Sequence, residues 1–162
     1  MKETLKILAL YGRYDTGKTA SINNLIDILS AKSNFTNIFI KKDRVERRAA
    51  FTSNGKVIAI TTRGDRKIDL EDDWDDLLSE LKSRGYTPDV LICAARSSGK
   101  THEFLYENAL DENIYWFSKS AIYRKVDEPL RDQDDIDFKA LRNEINGQTA
   151  EQLYEVLTKH LL

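Results

Sequence analysis

Two stretches of this chain carry reactive residue types at one spacing. "GRYDTGKT" at 12–19 and "AARSSGKT" at 94–101 each run a small residue, four variable positions, then Gly-Lys-Thr. Glycine admits backbone conformations that a β-carbon would block. A loop built that way turns its N–H groups inward, where they hold an oxyanion. A helix that follows adds the N–H groups of its first turn and the positive end of its dipole. Lysine then neutralises the anion, and the threonine hydroxyl offers a ligand to a hard cation. The chemistry expected of such a loop is the binding of a phosphate-bearing molecule.

The elements that must position these loops are readable from the apolar pattern. "TLKILALYG" (4–12) is a short apolar run ending in Gly and reads as a buried strand. Ile22, Leu25, Ile26 and Leu29 recur at helical spacing and predict a helix over 17–31. "TNIFIKK" (36–42) is a second strand. Residues 45–65 read as two strands around Asn54-Gly55, a dipeptide that tolerates positive φ at both positions. A helix over 70–85, capped by Asp69, presents Trp74, Leu77, Leu78 and Leu81 inward and stops at Gly85. "DVLICAA" (89–95) is another buried strand, followed by a short helix near 101–110 and a fifth main strand at 113–123. Two C-terminal helices are expected around 133–145 and 150–161, with Thr149 and Gln152 at capping-box spacing. This alternation predicts an α/β domain: a mainly parallel sheet of about five strands, covered on both faces, with a hairpin at 45–63. Ligands of such sheets bind beyond the carboxyl ends of the strands, so both loops are expected on one rim.

With a strand before it and a helix after it, 12–19 satisfies the full Gly-x-x-x-x-Gly-Lys-Ser/Thr pattern. Here the sequence resembles the P-loop NTPase superfamily. The likeness covers 12–19 sharply and the rest of the chain only by element order. It implies a three-layer α/β/α fold and the binding of ATP, or another nucleoside triphosphate, with Mg²⁺. Gly12, Arg13, Tyr14, Asp15, Thr16, Gly17, Lys18 and Thr19 then form the phosphate cradle. Lys18 neutralises the β- and γ-phosphates, and the Thr19 hydroxyl completes the Mg²⁺ coordination. The usual second metal acid directly ends an apolar strand, and no strand here ends that way. "VIAITTRGD" comes nearest, so Asp65 is the expected metal-side carboxylate. The competing role for Asp65 is a loop acid that caps the next helix.

The second stretch has Ala94 in place of the first Gly and a shorter helix behind it, so it is not expected to form a second nucleotide site. Arg96 and Lys100 are instead expected to bring positive charge to the same phosphates, or to the phosphate of a second substrate. Such charge has its largest effect in the transition state. Ser97, Ser98 and Thr101 accompany them. The basic run "KKDRVERR" (41–48) allows Asp43 or Arg44 to touch a phosphoryl acceptor, or else forms a solvated hairpin. Asp72, Asp73, Asp75 and Asp76 look like a metal cluster but fall in the first turns of a helix, where carboxylates suit the dipole; a solvated face is expected. His102 and His160 belong to no cluster or triad.

Composition narrows the function classes. The 162 residues fit one domain, 1–162, able to bury a core without disulfides or a structural metal. A net charge of −2 supplies no global field toward nucleic acid, so no nucleic-acid partner is expected. Cys93, the single cysteine, sits in an apolar run and reads as a core residue. No signal peptide is visible and no apolar run approaches the ~20 residues that span a bilayer, so a cytoplasmic protein without a membrane partner is expected. The guanine motif Asn-Lys-x-Asp is missing, which favours adenine. The expected function is Mg²⁺-dependent ATP hydrolysis or phosphoryl transfer. The alternatives are a small-molecule or nucleotide kinase with its acceptor near 41–48 and 94–101, and a nucleotide-binding regulatory module with little turnover.

Overall fold

The structure is a computed structural model, and it describes residues 1–12, 16–119 and 138–162. Strand β1 (Lys6–Gly12) leads into helix α1 (Lys18–Ala31). Three strands follow in direct succession: β2 (Thr36–Asp43), β3 (Glu46–Ser53) and β4 (Lys56–Thr61). Then come α2 (Lys67–Ser83), β5 (Val90–Arg96), α3 (Lys100–Asn108), β6 (Ile114–Ser118) and α4 (Phe138–Val156). A wider π-helical turn, Leu157–Leu161, extends α4.

The strands form one six-stranded sheet in the order β2-β3-β4-β5-β1-β6. The three pairings β4–β5, β5–β1 and β1–β6 are parallel, and β2–β3 and β3–β4 are antiparallel. The expected mainly parallel sheet of about five strands is therefore corrected to a mixed sheet of six. The reason is connection length. β3 and β4 join through Asn54 (φ 53°) and Gly55 (φ 72°), the expected hairpin turn. β2 and β3 join through an equally tight turn in which Arg44 takes φ 57°. A parallel partner needs a crossover of about a dozen residues or more, and these links are far shorter.

Apolar side chains on both faces of the sheet bury the helices. On one face Leu25 and Ile26 of α1 and Ala150 and Leu153 of α4 pack over Leu8, Leu10, Ile60 and Ile92. On the other, Trp74 and Leu77 of α2 and Phe104 of α3 pack over Ile7, Ala9, Leu91 and Cys93. The alternation of Ile7, Leu8, Ala9 and Leu10 between the two cores follows from the period of two along a strand. Each fully buried leucine or isoleucine contributes about 1.5–3 kcal/mol. Helices on both faces are consistent with three α/β/α layers. Cys93 is fully buried, as its apolar neighbours predict.

Three further expectations are corrected. The two C-terminal helices are one: α4 runs through 145–150, and the Thr149 hydroxyl donates back to the Ile145 carbonyl at 3.0 Å instead of capping a new start. α2 begins earlier than expected, with Arg66 as its N-cap. Asp69 lies in its first turn and accepts two hydrogen bonds from the Arg66 guanidinium, at 2.8 and 2.9 Å. The acidic run of α2 is not wholly solvated, because Asp73 is buried. Arg13, Tyr14 and Asp15, the end of the strand expected at 113–123 and the start of the helix expected at 133–145 lie outside the described residues. Among the described residues, no helix is long and apolar enough to cross a membrane.

Candidate functional site

The first loop leaves the carboxyl end of β1, between two parallel neighbours. Gly12 is its first residue, and a β-carbon there would collide with the Lys119 carbonyl. The end of β6 can close on the loop only because that carbon is missing, and the Lys119 N–H donates to the Tyr11 carbonyl at 2.8 Å. Gly17 holds the N-cap of α1 at φ 88°, ψ 22°, a left-handed conformation that side chains resist. A β-carbon on Gly17 would also stand 2.5 Å from Asn146 Oδ1 of α4. The same oxygen accepts a hydrogen bond from Ser21 Oγ at 3.5 Å. Both glycines of the sequence pattern are thus required, one by contact and one by conformation.

Lys18 follows on the first turn of α1 with its side chain 5% exposed. Its Nζ donates to the Gly12 carbonyl at 2.7 Å and lies 3.8 Å from Asp65 Oδ1. Burial holds its pKa below the ordinary lysine value; Asp65 opposes that shift, and the nearby charge of Arg96 adds to it. Thr19 Oγ1 donates to the Thr62 carbonyl at 3.4 Å. Together these residues floor a cleft of about 930 Å³, walled by the β2–β3 turn at 43–46 and the β4–α2 loop at 62–66. Asp65 arrives from β4, two strands away from β1. Gly64 allows this: it lies so close to the Ala94 carbonyl that a β-carbon would overlap it. The loop therefore crosses the end of β5 in contact with its backbone.

The second loop lies alongside. β1 and β5 are adjacent, and Gly12 is paired in register with Arg96. The Arg96 N–H donates to Thr101 Oγ1 at 3.1 Å, and Arg96 Nε donates to the Asp65 carbonyl at 3.0 Å. The Thr101 hydroxyl thus closes its own loop. Ser97, Ser98 and Lys100 are exposed. A smaller hollow of about 240 Å³ opens between this loop and the start of α2, and Asp65 and Arg66 border both it and the main cleft.

The basic run at 41–48 divides in two. Lys41 pairs with Glu80 at 2.6 Å, Arg47 with Asp27 at 2.9 Å and Arg48 with Asp73 at 2.9 Å. Those three cations tie the meander to α1 and α2. Asp43 and Arg44, the expected acceptor contacts, do line the main cleft. Asp73 also accepts from Thr61 Oγ1 at 2.6 Å, so its carboxylate is a structural tie. Among the described residues, no group of three or more His, Cys, Asp or Glu could hold a metal ion.

Four residues lining the cleft or backing the first loop escape the sequence reading. Asn146 backs Gly17 from α4. Lys119 is buried beside Gly12; burial lowers its pKa, and its Nζ donates to Thr149 Oγ1 at 3.2 Å. Glu46 lines the cleft and accepts from the Thr62 hydroxyl. Asn23 Nδ2, one turn beyond Thr19, donates to the Val45 carbonyl at 2.8 Å and so pins the β2–β3 turn to α1. None of these sits at a motif spacing; only Lys119 and Asn23 carried a signal, as polar residues beside a strand end or a glycine-led helix.

Compared with models of protein families, with curated proteins and with solved structures, the chain matches none. What the fold and the site define is an α/β protein with two adjacent Gly-Lys-Thr loops at the carboxyl rim of its parallel strands.

Proposed function

We propose that the main cleft binds a nucleoside triphosphate, ATP before GTP, with Mg²⁺, and that the chain hydrolyses it or transfers its terminal phosphoryl group. The observation that carries this reading is Lys18: a buried ammonium at the first turn of α1, 2.7 Å from the Gly12 carbonyl, at the floor of a cleft of about 930 Å³. A lysine so placed after a glycine-led turn meets phosphate oxygens that the helix terminus also attracts.

The donor set fits magnesium that arrives on the phosphates. Thr19 offers a hydroxyl and Asp65 a half-exposed carboxylate, and Mg²⁺ keeps several waters and needs few protein ligands. When bound, the ion neutralises charge shared between the β- and γ-phosphates. Lys18 would hold the same oxygens, and Asp65, 3.8 Å from the Lys18 ammonium, would orient the ion's water shell. Arg96, whose charge already bears on Lys18, adds positive charge where the transition state gathers negative charge.

A kinase is the favoured form of this chemistry over plain hydrolysis on one observation: Asp43 and Arg44 line the same cleft as Lys18, on the side facing it across the β4–α2 loop. That wall offers an acceptor both a carboxylate and a guanidinium.

Thermal unfolding with ATP, GTP and dATP, each with and without Mg²⁺, tests the reading. A nucleotide at one hundred times its Kd stabilises the fold by about 2.7 kcal/mol. That shift is expected with Mg-ATP for the native chain and is expected to vanish in Lys18→Ala. No shift with any nucleotide overturns the proposal. A shift without ADP formation under any condition leaves a regulatory module, ADP with free phosphate identifies a hydrolase, and ADP formation that needs an added small molecule, with the phosphoryl group recovered on it, identifies a kinase.

A further inference from the structure

The smaller hollow has a composition the main cleft lacks. It is bordered by four cationic side chains, Arg66, Lys67, Arg96 and Lys100, and by one carboxylate, Asp65. Two of the cations are held from outside. Arg66 is gripped by Asp69, and Lys67 pairs with Glu107 at 2.7 Å and Glu103 at 3.4 Å. Lys100 is exposed at the start of α3. The starts of α2 and α3 both border the hollow, and the one acid in each first turn, Asp69 and Glu103, is engaged by Arg66 and Lys67. Arg96 stands between the two cavities: its charge is felt at Lys18 on one side, and it lines the hollow on the other. Like charges set this close repel, and an anion placed beside them relieves the repulsion.

We propose that this hollow holds the phosphate monoester of a second small molecule, bound at the same time as the ligand of the main cleft. The proposal rests on the nucleotide reading for what lies next door, but the charge of the hollow stands without it. A volume of about 240 Å³ admits a phosphate and part of the group that carries it. The shared border at Asp65 and Arg66 brings that second molecule against the occupant of the main cleft.

The test uses inorganic phosphate as the probe, followed by ³¹P line broadening at low ionic strength. The full chain is titrated free and saturated with a non-hydrolysable ATP analogue. Phosphate is expected to bind the analogue-saturated protein. Ser98→Asp places a carboxylate at the exposed lip of the hollow and is expected to weaken that binding by roughly tenfold or more, since like-charge juxtaposition is costly. Ser98→Asn, of the same size and neutral, is expected to keep it. Lys67→Gln serves as a second probe of the same lining, with its fold checked by thermal unfolding. If the saturated protein binds no phosphate, or binds it equally in Ser98→Asp and Ser98→Asn, the proposal falls. Failure of the nucleotide reading shows separately, as absence of analogue binding. In that case the titration is repeated on Lys18→Ala, where remaining phosphate binding that Ser98→Asp weakens sustains the hollow and its absence ends the proposal.

Discussion

Asn146 of α4 places its side-chain oxygen where a β-carbon on Gly17 would stand, 2.5 Å away. The C-terminal helix is thereby the back wall of the first loop, although 128 positions separate the two residues by their numbers, 146 less 17 less 1 between them. Gly17→Ala is expected to lose about 1–2 kcal/mol from the left-handed backbone alone. The collision with Asn146 adds to that loss. The double variant Gly17→Ala/Asn146→Ala removes the collision but not the backbone strain, so the two changes are expected to be non-additive. Urea midpoints at constant m-value measure the cycle. Simple additivity would show that Asn146 yields without cost.

Asp73 is the charged group on which the meander depends. It is 2% exposed, with Arg48 at 2.9 Å and Thr61 at 2.6 Å. Asp73→Ala leaves Arg48 without its buried partner and is expected to cost about 3 kcal/mol. The figure sits at the low end for a broken buried pair because Arg48 is 25% exposed and keeps Asp76 at 3.0 Å. Asp75→Ala, on the exposed side of the same helix, is expected to stay within about 0.5 kcal/mol. Chemical denaturation of the two variants distinguishes a structural tie from a solvated acidic face.

Cys93 makes alkaline stability measurable. Burial pushes its thiol up from 9.0 to about 12. Between those values the unfolded chain releases a proton that the folded chain keeps, so this group removes stability as pH rises from about 9 toward 12. Lys18 and Lys119, both held low by burial, act with the opposite sign below the ordinary lysine value of 10.5: the unfolded lysines bind more protons there, and stability rises with pH up to it. The difference between the native chain and Cys93→Ala isolates the thiol. The native stability is expected to fall more steeply than the variant's as pH increases from about 9. Parallel curves would contradict a buried thiol, as would rapid labelling of Cys93 by a thiol reagent under native conditions at pH 8.

The local elements were largely legible and the neighbour relations were not. Ile22, Leu25, Ile26 and Leu29 announced α1 within a residue, because an apolar stripe at helical spacing needs only one buried face. Asn54-Gly55 announced its hairpin because few other dipeptides accept that turn. The β2–β3 turn gave no such warning. It places Arg44, not Gly or Asn, at positive φ, so the second antiparallel pairing leaves no mark in the sequence, and the alternating pattern predicts a mainly parallel sheet. Asp73 falls in phase with Leu70 and Leu77 on α2, and that phase was the available sign that one carboxylate of the run is buried. Around the cleft, Gly17, Lys18 and Thr19 are legible through their spacing. Asn146 and Glu46 are not, because packing across distant segments brings them there and leaves no periodic trace.

The pairing of β1 with β5 runs without a break from Lys6 opposite Val90 to Gly12 opposite Arg96. A one-residue slip would turn every buried side chain of either strand to the wrong core, so this register resists change. The offset between the two Gly-Lys-Thr loops is therefore a property of their shared mount and not of the loops. Ser97 and Ser98 are exposed, and their side chains can be exchanged without altering where the loop is presented, whereas Gly99 at φ 97° is held to glycine. For an engineer the rim is a socket at fixed pitch, with one insert that depends on Gly12 and Gly17 and another that is replaceable at Ser97 and Ser98.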